Sequence, residues 1–382
     1  MVAERMKDVK GSPTVGLAGR VAELRAQGED VVSLAAGEPD FPTPPHIVEA
    51  AKEALNQGFT KYTPSLGIPE LREAIAEQSA ARNGIPAKPE NVLVSSTKHA
   101  LFASVMAFAG PGDEVLLSDP GWVSYLPMVQ LAGATPVPVP LPEDDGFALS
   151  PEAVAERITP RTRLLVVNTP NNPTGAVYGL PALRGLADLA ADHDFLILTD
   201  EIYERIIYQG EHHAIASFPG AFERAITVNG FSKTYSMTGW RLGWAIAPVD
   251  LLRPINTIQQ HSITCATSFA QKGGVAALRG PQEPLDAMVA EFERRKDLVV
   301  EGLNAIESLR CKEPPGTFYA WAQYDGAMDS VAMAETILEK ARVAVIPGVA
   351  FGKEGEGHLR LSFATSTKDL KRALSRLHEV LG

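Results

Sequence analysis

The chain has 382 residues, 45% of them hydrophobic, and a formal net charge of -11 at pH 7. This length predicts two or three domains, and the acidic balance argues against nucleic acid or an anionic membrane as a partner. The two cysteines, Cys265 and Cys311, lie far apart and outside any metal-ligand spacing, so neither a disulfide scaffold nor a bound metal is expected. Apolar runs are strand-sized and the charged N-terminal residues do not resemble a signal peptide, so we expect a cytoplasmic protein without a membrane span.

The predicted elements begin with an N-terminal segment, residues 1–44, that contains one helical pattern and the extended stretch Ala36–Phe41. We expect this segment to form an arm that returns to the C-terminal part of the chain. Over residues 45–280, helical stretches then alternate with short apolar runs typical of strands. The predicted strands are Val92–Ser95, Val115–Ser118, Pro136–Val139, Leu164–Asn168, Phe195–Thr199, Ile226–Asn229 and Trp244–Ala247. The helices predicted between them include Ala100–Phe108, Pro151–Ile158 and Leu180–Asp192.

Several of these strands are apolar throughout, as expected when helices cover both faces of a sheet. We therefore predict an α/β fold, in which residues 45–280 form a large doubly wound domain with a mainly parallel seven-stranded sheet. After Gly280 the pattern changes, and residues 281–382 predict a smaller α+β domain. Its predicted elements are the helix Pro284–Leu309, the strands Phe318–Trp321, Val343–Ile346 and Leu359–Phe363, and the final helix Leu370–Leu381.

Lys233 lies in a polar segment, Val228–Arg241, that continues directly from the predicted strand Ile226–Asn229. Ligand sites in parallel sheets gather outside the carboxyl ends of the strands. A lone lysine is by default a surface residue, but polar side chains also follow other strands of the same predicted sheet. We therefore interpret Lys233 as a residue that anchors a ligand at this edge.

Two further groups follow neighbouring strands. Asp200 comes directly after the strand Phe195–Thr199. A partly buried carboxylate there can keep a pyridine nitrogen protonated, although an aspartate in this position can also cap a following helix. Tyr203, three residues later, can place its phenol near the 3′ oxygen of the bound molecule that contains this pyridine nitrogen. Asn172 can donate to that oxygen from the loop Asn168–Gly175, which by itself indicates only a turn.

A third group lies in the segment Ser95–Ala100, which joins a predicted strand to a helix. Backbone N–H groups at a helix N-terminus bind phosphate, and Arg241 can add a charge-assisted hydrogen bond. Hydroxyl groups of Ser96, Thr97 or Ser232 can supply further donors. A serine and threonine cluster alone is more often a helix cap, so a phosphate site here depends on the other groups.

Together these segments resemble the class I/II aminotransferase family of fold-type I enzymes, which use pyridoxal 5′-phosphate. The prokaryotic aspartate aminotransferases, some of which also accept prephenate, are the most similar subgroup. The resemblance covers nearly the whole chain and is carried by Ala36–Phe41, Lys61-Tyr62, Gly67–Leu71, Ser96–His99, Trp122, Asn171–Gly175, Asp200–Tyr203, Ser232–Arg241 and Arg360. It implies pyridoxal 5′-phosphate as cofactor, amino-acid and 2-oxo-acid substrates, and a homodimer with shared active sites.

The resemblance also implies roles for single residues around the cofactor. Lys233 matches the lysine that holds the cofactor as a Schiff base and then moves a proton between the substrate α-carbon and the cofactor. Asp200 matches the partner of the pyridine nitrogen. Tyr203 and Asn172 match the pair at the 3′ oxygen, and Trp122 matches the aromatic residue stacked on the ring.

Further positions concern the substrate, the neighbouring subunit and the phosphate. Arg360 matches the arginine that binds the substrate α-carboxylate, and Gly37 matches a position where the backbone approaches the substrate closely. Tyr62 matches a tyrosine that reaches the phosphate of the neighbouring subunit. Thr97 and Gly230 depart from the family, because a glycine is frequent at the first position and some relatives have a phosphate-binding serine at the second.

The resemblance implies a substrate preference through Lys98 and Ser12. They match residues of the acidic-substrate subgroup that contact the distal carboxylate of aspartate, glutamate or prephenate. Lys98 can instead point to solvent from the first turn of its helix, a position that is mildly unfavourable for a cation. The predicted reaction is transfer of the amino group of aspartate, or another acidic amino acid, to 2-oxoglutarate by a ping-pong cycle.

Other functions on an α/β chain of this size are weighed against this prediction. The same site can serve an aminotransferase for aromatic or other amino acids, or a β-lyase. A non-catalytic pyridoxal-phosphate-binding regulator would carry an added DNA-binding domain, for which the chain has no basic helix-turn-helix pattern. A nicotinamide dehydrogenase is not supported, because no Gly-x-Gly-x-x-Gly motif follows a strand.

Overall fold

The computed structural model describes residues 2–382, and Met1, with which the predicted arm begins, lies outside the described residues. The strands are β1 (Val32–Ser33), β2 (Val92–Ser95), β3 (Glu114–Asp119), β4 (Thr135–Pro140), β5 (Thr162–Asn168), β6 (Leu196–Asp200), β7 (Ala225–Gly230), β8 (Gly243–Ile246), β9 (Leu309–Cys311), β10 (Tyr319–Tyr324), β11 (Val343–Ala344), β12 (Ile346–Pro347) and β13 (His358–Ser362). The α-helices are α1 (Pro13–Ala26), α2 (Pro45–Asn56), α3 (Pro69–Asn83), α4 (Thr97–Phe108), α5 (Tyr125–Ala132), α6 (Pro151–Ala155), α7 (Leu180–His193), α8 (Phe231–Thr234), α9 (Val249–Gln260), α10 (Ser268–Arg279), α11 (Glu283–Asn304), α12 (Ser330–Ala341) and α13 (Thr367–Leu381). Among residues 2–382, no helix has both the length and the apolar character that a membrane span needs.

The large sheet contains seven strands in the order β2-β8-β7-β6-β5-β3-β4. Neighbouring strands run parallel, except that β8 is antiparallel to both β2 and β7. Each strand predicted between residues 92 and 247 is present, with bounds that differ by at most two residues. The predicted α/β fold with a mainly parallel seven-stranded sheet is confirmed.

Strand β5 shows why these runs are apolar throughout. Leu164 and Val166 belong to a core that the sheet shares with α4, whereas Leu165 and Val167 belong to a second core that it shares with α7. Successive side chains of a strand point to opposite faces, so a strand covered on both faces needs an apolar residue at every position. In β5, polar residues therefore occur only near the two ends of the strand.

The C-terminal strands form an antiparallel sheet in the order β12-β13-β10-β9, and β1 forms a parallel pair with β11. In that pair Val32 lies opposite Val343, so the N-terminal segment contacts the C-terminal part of the chain. A separate apolar core packs this antiparallel sheet against α11 and α13. A division into domains at residues 44 and 280 stays a prediction.

The predicted helix Pro284–Leu309 is wrong at its C-terminal end. Helix α11 ends at Asn304, and Leu309 begins strand β9, where it lies opposite Tyr324 of β10. Leu309 is buried in the same core as the apolar face of α11. The apolar pattern therefore continues from a helix into a strand, and periodicity alone does not reveal the change.

The predicted strand Val343–Ile346 is also wrong, because it consists of two separate strands. Val343 pairs with β1, whereas Ile346 lies opposite Arg360 of β13. One apolar run thus serves two sheets. The pairing partners lie far away in the sequence, so the local pattern cannot distinguish the two strands.

Candidate active site

A cavity of about 300 Å³, the site cavity, opens at the carboxyl ends of β5, β6 and β7. Asn168 ends β5, Asp200 ends β6, and Lys233 lies in α8, which follows β7 directly. These side chains meet because parallel strands finish at the same edge of a sheet. The predicted site residues that line the cavity are Gly37, Thr97, Lys98, Trp122, Asn172, Asp200, Tyr203, Ser232, Lys233, Arg241 and Arg360.

Lys233 provides a partly neutral amine in this cavity. Its Nζ donates a hydrogen bond to the carbonyl oxygen of Gly37 and lies 6.0 Å from the ring centroid of Phe318. Burial lowers the pKa of Lys233 to about 8; the negative charge of Glu38 opposes this effect, and the positive charge of Arg360 adds to it. Since only the neutral amine is a nucleophile, the cavity contains a lysine that can react near neutral pH.

Asp200 is a buried carboxylate with two hydrogen-bond donors. The Oη of Tyr125 donates to its Oδ2 at 2.7 Å, and the backbone N–H of Ile202 donates to its Oδ1 at 3.3 Å. Burial raises the pKa of Asp200 to about 6, and the hydrogen bond from Tyr125 works in the opposite direction. Residues 202–205 form a turn, which excludes a helix-capping role for Asp200. A ring cation placed beside this carboxylate would be stabilised.

Arg360 brings a positive charge to the site cavity from β13, a strand of the antiparallel C-terminal sheet. It is 3% exposed, and its guanidinium donates to Asn172 Oδ1 at 3.0 Å and to the carbonyl oxygen of Ala35 at 2.9 Å. Its Nε is buried and has no hydrogen-bond partner within residues 2–382. Burial lowers the pKa of Arg360 below its ordinary value. A buried arginine with neutral partners and an unused donor is suited to bind an incoming carboxylate.

The N-terminus of α4 borders the cavity through Thr97, whose Oγ1 donates to the carbonyl oxygen of Asn229 at 3.2 Å. A Cβ atom on Gly230 would clash with this Oγ1. The two departures from the family pattern are therefore complementary, because the hydroxyl of Thr97 occupies the space that a side chain at Gly230 would need. The first N–H groups of a helix have no intrahelical acceptor, so this helix start can still bind an anion.

Lys98 faces the cavity mouth. Its Nζ lies 4.8 Å from the ring centroid of Trp122, and it lines both the site cavity and a neighbouring cavity. Much of the side chain is exposed, yet partial desolvation of the ammonium group and the positive charge of Arg241 lower the pKa of Lys98. Arg241 is exposed and lines the same two cavities. The ammonium group of Lys98 therefore lies over Trp122 at the cavity mouth, while much of the side chain remains exposed to solvent.

Three predicted site residues, all within the described range 2–382, do not line the site cavity. Ser96 caps α4, where its Oγ accepts from the N–H of His99 at 3.3 Å, and it lines the neighbouring cavity instead. Ser12 also lines that neighbouring cavity, whereas Thr14 lines the site cavity; their hydroxyl oxygens lie 2.9 Å apart. Ser12 immediately precedes α1, and Thr14 lies in the first turn of that helix. Tyr62 is 87% exposed, and its role toward a neighbouring subunit stays a prediction.

Sequence reasoning misses two buried tyrosines of the site. Tyr125 donates to Asp200 and packs edge-on against Trp122, with ring centroids 5.2 Å apart. Its spacing of three residues from Trp122 is the one signal that could have indicated it. The Oη of Tyr319 lies 2.8 Å from the Oη of Tyr203. Tyr319 belongs to an apolar strand and therefore resembles a core residue in the sequence.

The chain matches a known enzyme family over most of its length. Residues 29–377 match the family model described as aminotransferase class I and II. The chain belongs to this family, whose members depend on pyridoxal phosphate. It is an aminotransferase that acts on amino-acid and 2-oxo-acid substrates, and the predicted family and enzyme class are confirmed.

Individual relatives are similar over the full length. The aspartate/prephenate aminotransferase of Thermus thermophilus is 46% identical over 389 residues, which cover 100% of this chain and 99% of that protein. The aromatic-amino-acid aminotransferase 2 of Thermococcus litoralis is 44% identical over 363 residues, which cover 93% of each chain. A solved structure of the Thermus thermophilus aspartate aminotransferase with maleate matches with a TM-score of 0.95 at 45% identity and covers 100% of both chains.

Proposed function

We propose that this aminotransferase moves the amino group of aspartate, or another acidic amino acid, to 2-oxoglutarate by a ping-pong cycle, with prephenate as a further substrate. The observation that carries the proposal is a pair of cations in one cavity: the buried Arg360, which has no ion-pair partner within residues 2–382, and Lys98 beside Trp122. A substrate with two carboxylates can place one on each cation. One relative is named for aspartate and prephenate, and another was solved with maleate, a dicarboxylate.

The polar groups that line the site cavity fit the ring of pyridoxal 5′-phosphate. We assign the aldehyde carbon to the amine of Lys233 and the ring nitrogen to the buried carboxylate of Asp200. The 3′ oxygen is assigned to Tyr203 and Asn172. When bound, this cofactor supplies an electron sink for the electrons of the substrate α-C–H bond.

The phosphate and the ring face have their own partners in this assignment. The helix start at Thr97 and the side chain of Arg241 border the cavity and would bind the phosphate, together with the buried Ser232. Ser96 supports this loop as a helix cap outside the cavity. Trp122 would cover one face of the ring and limit its tilt.

The residues of the chain divide the work of the reaction. Lys233, with its pKa lowered to about 8, can accept and release a proton near neutral pH, and it would move the proton that leaves the substrate α-carbon. Arg360 would bind the α-carboxylate with its two-nitrogen fork, and its hydrogen bond to Asn172 fixes the orientation of that fork. The close approach of Gly37 to Tyr319 leaves no room for a side chain on this side of the substrate.

We also propose that two copies of the chain assemble as a homodimer with shared active sites. Tyr62 supports this, because its side chain is 87% exposed and tyrosine is enriched at protein–protein interfaces. In the dimer its phenol would reach the phosphate of the neighbouring subunit.

A substrate panel on the wild type and on Lys98→Gln tests the proposed function. The wild type should release oxaloacetate from aspartate and 2-oxoglutarate. In Lys98→Gln, we expect kcat/KM for aspartate to fall by about 10- to 100-fold, since a hydrogen bond to a charged group contributes about 1.5–3 kcal/mol. The same variant should change kcat/KM for phenylalanine by less than about threefold, because that substrate has no distal carboxylate.

Lys10→Gln is the matched control, since Lys10 lines the neighbouring cavity and not the site cavity. Its substrate profile should equal that of the wild type. The aspartate assignment is wrong if no oxaloacetate forms at millimolar substrate. Faster turnover of phenylalanine than of aspartate would favour the alternative function, an aminotransferase for aromatic amino acids. The similarity to an aromatic-amino-acid aminotransferase is consistent with that alternative.

The lowered pKa of Lys233 predicts how the apoprotein takes up pyridoxal phosphate. The neutral amine attacks the aldehyde, so the rate of reconstitution should rise with pH and level off above a midpoint near 8, instead of rising toward the ordinary lysine value of 10.5. Stopped-flow absorbance between pH 6.5 and 10 measures it. Glu38 raises the pKa of Lys233, so Glu38→Gln should move the midpoint to lower pH. A wild-type midpoint near 10 would contradict this prediction.

A further inference from the structure

Tyr319 is a buried residue of the site cavity to which no role has so far been assigned. Its Oη lies 2.8 Å from the Oη of Tyr203, and its ring centroid lies 4.3 Å from the guanidinium carbon of Arg360. A Cβ atom on Gly37 would lie 2.9 Å from the same Oη. Tyr319 is 1% exposed. It therefore contacts three residues that have roles in the proposed function.

The pair of phenols has a limited number of proton arrangements. Burial raises the pKa of Tyr203 and of Tyr319 above that of an ordinary tyrosine, so both hydroxyls keep their protons at neutral pH. Within residues 2–382, neither hydroxyl has another hydrogen-bond partner. Each phenol has one proton to donate, and one of the two protons occupies the shared hydrogen bond. The other proton is free for a ligand.

The ligand decides between the two arrangements. A 3′ oxygen with negative charge accepts hydrogen bonds and cannot donate one. If Tyr203 donated to Tyr319, it would have no proton left for that oxygen. If Tyr319 donates to Tyr203, the proton of Tyr203 is free to point into the site cavity.

We propose that Tyr319 is a positioning residue that donates to Tyr203 and thereby directs the proton of Tyr203 to the 3′ oxygen of pyridoxal phosphate. The inference rests on the proposed function, in which Tyr203 faces that oxygen. The hydrogen bond that Tyr203 receives also polarises its own O–H group, which strengthens the donation to the cofactor.

The fold places this donor on the same sheet as the substrate arginine. Tyr319 lies on β10, which pairs with β13, and Arg360 lies opposite Trp321 in that pair. Tyr203 follows β6 of the large sheet, 116 residues earlier in the chain. The C-terminal sheet therefore contributes both the guanidinium for the substrate and the hydroxyl that acts through Tyr203.

The test is Tyr319→Phe in the holoenzyme, a change that removes the hydroxyl and keeps the ring beneath Arg360. The measurement is a pH titration of the cofactor absorption band of the resting enzyme, whose midpoint reports the proton on the linkage between Lys233 and the cofactor. That proton is held less tightly when the adjacent 3′ oxygen receives a hydrogen bond. We therefore expect the midpoint to rise by about half a pH unit. The shift is small because Tyr319 acts only through Tyr203, so its loss weakens one hydrogen bond to the 3′ oxygen and does not remove it.

Two further variants connect the shift to Tyr203 and to this hydroxyl. Tyr203→Phe should raise the midpoint more, and adding Tyr319→Phe to it should cause no further shift. Tyr324→Phe is the matched control on the same strand. It removes a phenol hydroxyl that donates to the carbonyl oxygen of Met328 at 2.8 Å, and it should leave the midpoint unchanged.

The outcomes separate this inference from the proposed function. An unchanged midpoint in Tyr319→Phe, beside a raised one in Tyr203→Phe, overturns the inference and leaves the proposed function intact. A shift that persists in the Tyr203→Phe background overturns it too, because the effect would not pass through Tyr203. A protein without any absorption band that depends on Lys233 would contradict the proposed function and, with it, the inference.

Discussion

Lys233→Ala should lower kcat for amino transfer by about 10⁴-fold, the upper end of what a positioned acid–base group contributes. The amine is expected to hold the cofactor and to move the proton of the α-carbon, so one substitution removes both functions. Within residues 2–382, the only other lysine that lines the site cavity is Lys98, whose ammonium group lies against Trp122 at the cavity mouth. Lys98 is placed to bind a substrate carboxylate, so we do not expect it to replace Lys233 in holding the cofactor or in moving the proton.

The measurement combines steady-state rates with the absorption spectrum of the purified protein. The wild type should be yellow, and the band that depends on the lysine linkage should disappear in Lys233→Ala. Lys371→Ala, an exposed lysine of α13, is the control for loss of a lysine and should keep both rate and band. A Lys233→Ala protein with an unchanged band or with more than about a tenth of the wild-type rate would show that another group anchors the cofactor.

Arg360→Lys should lower kcat/KM for every amino acid and every 2-oxo acid by about 10²- to 10³-fold. All these substrates have the α-carboxylate in common, so the loss should not depend on the side chain, in contrast to Lys98→Gln. Lysine keeps the positive charge but lacks the planar fork, and it cannot reproduce the two hydrogen bonds to Asn172 and Ala35. Losing hydrogen bonds of a buried charge typically costs about 2–5 kcal/mol, which covers this range.

The comparison of KM and kcat across the substrate panel measures this effect. Arg310→Lys is the matched control, because Arg310 lies on β9 of the same sheet and pairs with Asp325 at the surface, with an N–O distance of 2.6 Å. That change should leave kcat/KM within about twofold, as surface ion pairs contribute little. If Arg360→Lys affected dicarboxylates alone, Arg360 would be the distal-carboxylate residue and the assignment of the two cations would have to be exchanged.

The strands of the large sheet could be predicted because their signal is local. On β5 the uninterrupted run Leu164–Val167 alternates between two buried faces, and polar residues follow at the strand end. Because parallel strands end at the same edge of a sheet, the sequence also predicted that Asp200 and Lys233 lie at one edge. The local apolar pattern gave a wrong prediction for Leu309, because an apolar residue fits the predicted helix and the observed strand equally well.

The sequence could not decide which of two nearby residues lines the site cavity when both have suitable side chains. Ser12 and Thr14 both lie near the start of α1, and only the packing of that helix start assigns Thr14 to the site cavity and Ser12 to the neighbouring one. The departures at Thr97 and Gly230 look unrelated in the sequence. The structure explains them together, because one side chain fills the space that the other position leaves.

The sequence by itself predicted the succession of strands and helices along residues 92–247, and it predicted that Lys233 and the polar groups after neighbouring strands lie at one edge of the sheet, since these predictions depend on local periodicity and on motifs. Only the tertiary structure decided that Lys98 faces the cavity, that Tyr125 donates to Asp200, and that Tyr319 contacts Tyr203. These contacts join residues that are distant in the chain. They are set by how the sheets and helices pack, and no local pattern encodes that packing.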